Sequence, residues 1–324
     1  MTEPAQTQIT LSLTHIHDEN RPALMYLIEQ ERLGDILVAQ ILSLLPDPQT
    51  WRLTITGDMV RAVNEIEARD DENTYTTDRG AGHVGARTIM HEDGTADIVI
   101  SDFAFFASSQ DMDAPQLIKY ARAAAAHIAL HEAGHAVLHS RGEGSDDYQD
   151  LPQLPHTPHA WRKHLAAHME DHRIEQLTKR LAPYPLSQVD HLQDALAHFR
   201  KELNESGNTW ETDIQTACFR ALDAANSLIR VMFYLSAELG IENGKAVRPK
   251  AQPDGWEEYI DANWSEWGMA LHRLKPADEP MEPEEIADVL SNLCTLADAW
   301  LRSNGVDYGI TDQGPYIYWT KDQY

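Results

Sequence analysis

The sequence predicts an α+β fold that is mainly α-helical, with a small N-terminal antiparallel sheet and a helical C-terminal half. Three observations predict it. Apolar residues recur at helical spacing along proline-free runs, above all over 116–139 and 211–239. Strand-like alternation is confined to the first third of the chain, most clearly at 51–55 and 96–101. The apolar share, 42% of 324 residues, is enough for a packed core and too high for disorder. The pattern divides the chain into three parts. Residues 1–110 form an N-terminal α/β part with a hairpin, 111–185 a helical core, and 186–324 a C-terminal helical region.

Taken in order, residues 1–8 read as a loose tail and 9–13 as a short strand. Leu24, Leu27, Leu33, Leu37, Ile41 and Leu44 share a helical spacing, which predicts one helix over 21–45, closed by Pro46 and Pro48. Residues 51–55 alternate as a strand, and Asp58 can cap a helix over 59–68. The polar stretch 70–83 reads as a loop. Residues 87–91 and 96–101 flank Glu92-Asp93-Gly94-Thr95, and Asp-Gly favours a tight turn, so a hairpin is expected. After residue 139, Gly142, Gly144, Pro152, Pro155 and Pro158 predict a long irregular loop, either a cleft wall or a simple connection. Helices follow over 161–181, 188–203, 211–239, 256–274 and 284–301. The aromatic-rich tail 308–324 packs back as an irregular or extended segment. Trp256, Trp264, Trp267, Trp300 and Trp319 read as core aromatics or an interaction face, and Cys218 and Cys294 as two buried free thiols.

Within the run 116–139 stands His131-Glu132-x-x-His135. Residues four apart on a helix differ by about 40° around the axis and about 6 Å along it, so both imidazoles can reach one Zn²⁺. Glu132 is turned about 100° from His131, beside the metal rather than on it, where it can act as base toward an acidified water. Zinc of this kind takes three protein ligands, so one more is needed. The continuation H-E-x-x-H-x-x-G-x-x-H fails, because Leu138 stands at the glycine position and Arg141 at the third histidine. Glu170 is the expected third ligand, a carboxylate on the stripe Ala166, Glu170, Ile174, Leu177. Asp171 and a histidine among His164, His168 and His172 remain open beside it. Arg173, Tyr148 and His172 are candidates for oxyanion stabilisation. His127 and His139, one turn before and two turns after His131, read as packing residues or supports of the ligands.

His131-Glu132-x-Gly134-His135-x-x-Leu138-His139 followed by Glu170-Asp171-x-Arg173-Ile174-Glu175 resembles the gluzincin group of zincin metallopeptidases. The likeness is strongest to bacterial and phage metallopeptidases with an E-D-x-R-I-E block, and it covers about residues 98–181. It implies a zincin-like fold, Zn²⁺ held by His131, His135 and Glu170, Glu132 as general base, and a protein or peptide substrate. In such peptidases an edge strand beside the zinc helix binds the substrate backbone. Strand 96–101 fills that place here or is an ordinary core strand.

With 26 Lys+Arg against 52 Asp+Glu the net charge is −26, which argues against nucleic-acid binding through a basic patch. The N-terminus lacks a signal-peptide pattern, and no apolar run approaches ~18 residues, so a cytoplasmic protein off the membrane is expected. The competing expectation is an acidic phage or bacterial interaction protein with a structural zinc site. The oligomeric state is not readable from this pattern.

Overall fold

The computed structural model describes residues 10–47, 49–80, 82–106 and 112–324; the expected tail 1–8, with Ile9 and Pro48, lies outside them. The chain is α+β and mainly helical. It divides into two compact units. The first comprises Met1–Asp78, His83–Ser140 and Thr178–Pro185, the second Arg79–Gly82, Arg141–Leu177 and Leu186–Tyr324.

The first unit opens with β1 (Leu11–Thr14), α1 (Arg21–Glu29), α2 (Leu33–Leu44), β2 (Trp51–Thr56) and α3 (Met59–Ile66). The hairpin strands β3 (Ala86–Met90) and β4 (Ala96–Ser101) and the long helix α4 (Ala114–Ser140) follow. The predicted helix over 21–45 is two helices. Arg32 takes a left-handed conformation, φ 58°, and breaks it. The carbonyl of Glu31, at the break, accepts a hydrogen bond from Arg122 on α4, and α2 runs along α4. Asp58 caps α3 as expected, its Oδ1 accepting the Arg61 N–H at 3.0 Å.

The strand order is β1-β2-β4-β3. The sheet is mixed rather than antiparallel. β1 and β4 both run parallel to β2, and only β3–β4 is antiparallel. Parallel neighbours need crossover connections, here through α1–α2 and through α3 with the segment after it. The β3–β4 hairpin turns tightly as predicted, with Gly94 at φ 81°. β4 is paired on both sides and buried along all but its last residue, so it is a core strand. The outer strands are β1 and β3. Met59, Val63, Tyr75, Ile89 and Val99 bury together between α3 and this hairpin.

The second unit contains two short helices, α5 (Ser145–Tyr148) and α6 (His156–Ala160), where a loop was expected. Next come α7 (Arg162–Leu181), α8 (Gln188–Thr209), α9 (Ile214–Leu239), the strand pair β5 (Ile241–Glu242) and β6 (Lys245–Ala246), then α10 (Trp256–Tyr259) and α11 (Asp261–Leu271). It closes with α12 (Pro283–Ser303), β7 (Val306–Thr311) and β8 (Gly314–Trp319). The tail is thus a regular antiparallel hairpin. Trp256, Trp264, Trp267 and Trp300 are buried core residues, Trp300 stacked on Phe199 at 5.3 Å. Trp319 packs half-buried against the same core. Cys294 is buried and Cys218 half-buried; both are free thiols. Helix α7 is one unbroken element, and its last turn belongs to the first unit.

Candidate metal centre

Helix α4 forms because its proline stands in the first turn and alanines dominate its middle. His127, His131 and His135, four residues apart, form one stripe along it. The ring centroids are 6.0 Å apart for the first pair and 5.1 Å for the second. His127 is buried. Its Nδ1 donates to the carbonyl oxygen of Ala182 at 3.0 Å, just past the end of α7. A carbonyl oxygen only accepts, so Nδ1 carries a proton. Ligand histidines are commonly held in this way. The ring of Tyr184 packs on His127 at 4.9 Å. His139 is exposed in the last turn of α4.

Glu132 is 5% exposed. The hydroxyl of Thr88, on the outer strand β3, lies 2.8 Å from Glu132 Oε2 and 2.8 Å from its main-chain oxygen. A carboxylate and a carbonyl both accept, so the single hydroxyl proton is shared between the two oxygens of Glu132. Thr88 pairs with Ile98 in the hairpin, so the sheet register places the hydroxyl. Sequence reasoning missed Thr88. Its only signal is membership of a strand 44 residues away from Glu132, and nothing in a periodicity connects the two.

On α7, Glu175 stands one turn and Asp171 two turns before Thr178. The side chains of His127, His131 and Glu175, like those of His131, His135 and Asp171, are of the kinds that could hold a metal ion. Two imidazoles and one carboxylate fit the chemistry of an open divalent site, so the residues present suit a metal. The expected ligand Glu170 accepts the Ser145 N–H at its Oε2, 2.8 Å away, at the start of α5. Sequence reasoning did not single out Glu175 as a ligand candidate; it is the last residue of the E-D-x-R-I-E block, five residues beyond the expected ligand Glu170.

The other candidates have internal partners. His168 Nε2 bonds Asn226 Oδ1 at 2.8 Å, and burial pushes its imidazole down to about 3. His172 donates from Nδ1 to the Phe233 carbonyl at 2.9 Å, its Nε2 meets Gln176 at 2.9 Å, and burial lowers it to about 4. Both are neutral core histidines. His164 is exposed. Tyr148, fully buried, donates to the Ala166 carbonyl at 2.8 Å. Arg173, also fully buried, donates from Nη2 to Glu143 Oε2 at 2.6 Å and to the Glu279 carbonyl at 3.0 Å, and from Nε to the Lys275 carbonyl at 2.9 Å. Arg173 therefore clamps the segment before α12. Each of the three oxyanion candidates is engaged in holding the second unit together.

Compared with family models, with curated proteins and with solved structures, the chain matches none. No helix among the described residues is long and apolar enough to cross a membrane.

Proposed function

We propose that the chain is a zinc-dependent metallopeptidase in which Glu132 is the general base. The observation that carries the reading is the buried Glu132 carboxylate, held at 2.8 Å by Thr88 and flanked by two histidines four residues apart on one helix. A purely structural metal site has no use for an oriented base in that position. Zn²⁺, when bound, supplies Lewis acidity toward a carbonyl and acidifies water. His131 and His135 would hold it with one carboxylate of α7. The stripe of α7 favours Glu170, but its Oε2 is engaged by the Ser145 N–H, and we assign the third ligand to its neighbour Asp171. Glu132 takes the proton of the attacking water and passes it to the leaving amine. The free side of the outer strand β3 can take the substrate backbone by strand addition. The choice of a peptide bond rests on the resemblance to gluzincins.

A second reading has its own support. Burial of both His127 and Glu175 suits ligands of a structural metal in an acidic interaction protein. Elemental analysis, paired with hydrolysis of a fluorogenic peptide library, separates the two. We expect about one zinc per chain in the wild type, lost in His131→Ala/His135→Ala and in Asp171→Asn. Glu132→Gln should keep the metal and lose hydrolysis. Metal lost in Glu170→Gln but kept in Asp171→Asn moves the ligand to Glu170. Metal that is lost in His127→Ala and in Glu175→Gln, with no hydrolysis in the wild type, supports the structural reading. A wild type that binds no zinc when zinc is offered sinks both.

A further inference from the structure

A cavity of about 710 Å³ lies inside the second unit, and none of the α4 histidines lines it. Its walls come from α6, the start of α7, the first turns of α9 and the hairpin β7–β8. Trp161, Phe219, Tyr308 and Tyr316 contribute four aromatic rings. The apolar rim is open to water. Phe219 is 71% exposed, Ile310 53% and Ile214 48%. An exposed apolar rim around a concavity of this size is the mark of a ligand site.

The charge of the lining narrows the ligand. Asp223 is the one carboxylate among the lining residues, and neither Lys nor Arg is present. It stands one turn beyond Phe219 on α9, so ring and carboxylate share a helix face. Aromatic faces present the negative side of a quadrupole, and a carboxylate beside them adds full charge. Arg302 already sits over the Tyr308 ring at 4.7 Å, but Asp298 and Asp307 match its charge. A phosphate or carboxylate ligand would meet neither lysine nor arginine in the lining; its histidines are His156 and His164, and desolvation lowers the pKa of the latter.

We infer that this cavity binds a small amphiphilic organic cation, an ammonium group carried on an aryl or alkyl body. The apolar rim and aromatic walls take the body, and Asp223 with the aromatic rings takes the charge. The site is independent of the metal centre and of the hydrolase reading.

Calorimetric titration of the full chain with benzyltrimethylammonium, benzyl alcohol and phenylacetate tests this. We expect one site per chain for the cation, affinity at least about fivefold weaker for the neutral alcohol, and no binding of the anion. Asp223→Asn should weaken the cation about fivefold and leave the alcohol unchanged. Phe219→Ala, at an exposed position that does not threaten folding, should weaken both. The inference is overturned if the alcohol binds as well as the cation, or if Asp223→Asn leaves the cation unaffected. Absence of binding at 10 mM (roughly the weak limit for a ligand of this size) overturns it as well.

Discussion

Thr88 and Glu132 show how one hydroxyl can orient a buried carboxylate. Glu132 is buried, and its orientation depends on a donor from the neighbouring strand. Thr88→Val keeps the shape and removes that donor. Under the peptidase reading its kcat should fall about 10-fold or more, with zinc content and KM unchanged, and Thr88→Ser should recover most of the loss. Kinetics on any peptide cleaved by the wild type, with zinc measured on the same samples, checks this. A parallel loss of zinc would show that Thr88 supports the helix rather than the base. His127 carries a similar lesson. Its Nδ1 proton is held by the Ala182 carbonyl, a partner 55 residues away in sequence.

At the scale of elements, two ion pairs hold neighbours together. Asp97 on β4 faces Arg52 on β2. Arg52 Nε and Nη2 donate to its two oxygens at 2.7 and 2.6 Å, and His91 Nε2 lies 2.5 Å from Oδ2. Burial alone would raise the Asp97 carboxyl, but the hydrogen bonds from Arg52 and His91 outweigh it and hold the group below the usual carboxylate range. A carboxylate with a depressed folded pKa stabilises fully above its unfolded value of about 3.9 and loses that contribution as pH falls through the folded one. Asp97→Asn should therefore cost about 1–2 kcal/mol at pH 7, discounted because Arg52 is largely exposed. The difference should close as pH drops below about 3.9. Urea denaturation of both proteins across pH 3–7 reads it, and a pH-independent difference would refute the linkage.

The second pair is Arg173 with Glu143, which ties α7 to the start of the second unit and to the segment 275–281. Glu143 also meets Arg141 Nε at 2.8 Å, so Glu143→Leu, which strands the buried Arg173, should cost about 3–5 kcal/mol, and Arg173→Leu, which leaves Glu143 its second partner, should cost less. The double variant should be less destabilised than Glu143→Leu alone, because Arg173 is no longer stranded. Equal or additive losses in the unfolding free energies would contradict this account.

For the molecule as a whole, the −26 charge is the dominant fact. Mutual repulsion of so many carboxylates opposes compaction, and salt screens it over about 10 Å at 0.1 M. The unfolding midpoint should rise by about 2–5 °C between ~10 mM and ~500 mM NaCl. A flat or falling midpoint in a thermal scan would mean that local ion pairs, which salt weakens, outweigh the net charge.

Much of this architecture was legible in the residues themselves. The α+β class, the span of α4, the Asp58 cap, the Asp-Gly hairpin and His131-Glu132-x-x-His135 all follow from period, capping or spacing, which are properties of a few neighbouring residues. The single predicted helix over 21–45 became two because apolar spacing runs through a break that a left-handed Arg32 creates, and spacing carries no signal for it. The mixed sheet, the central place of β4 and the outer place of β3 were decided by crossover connections. So were the Thr88–Glu132 bond, the His127–Ala182 bond, the engagement of Arg173, Tyr148 and His172 inside the second unit, and the aromatic cavity. Each of these joins residues far apart in the chain, and only packing determines which distant donor meets which acceptor.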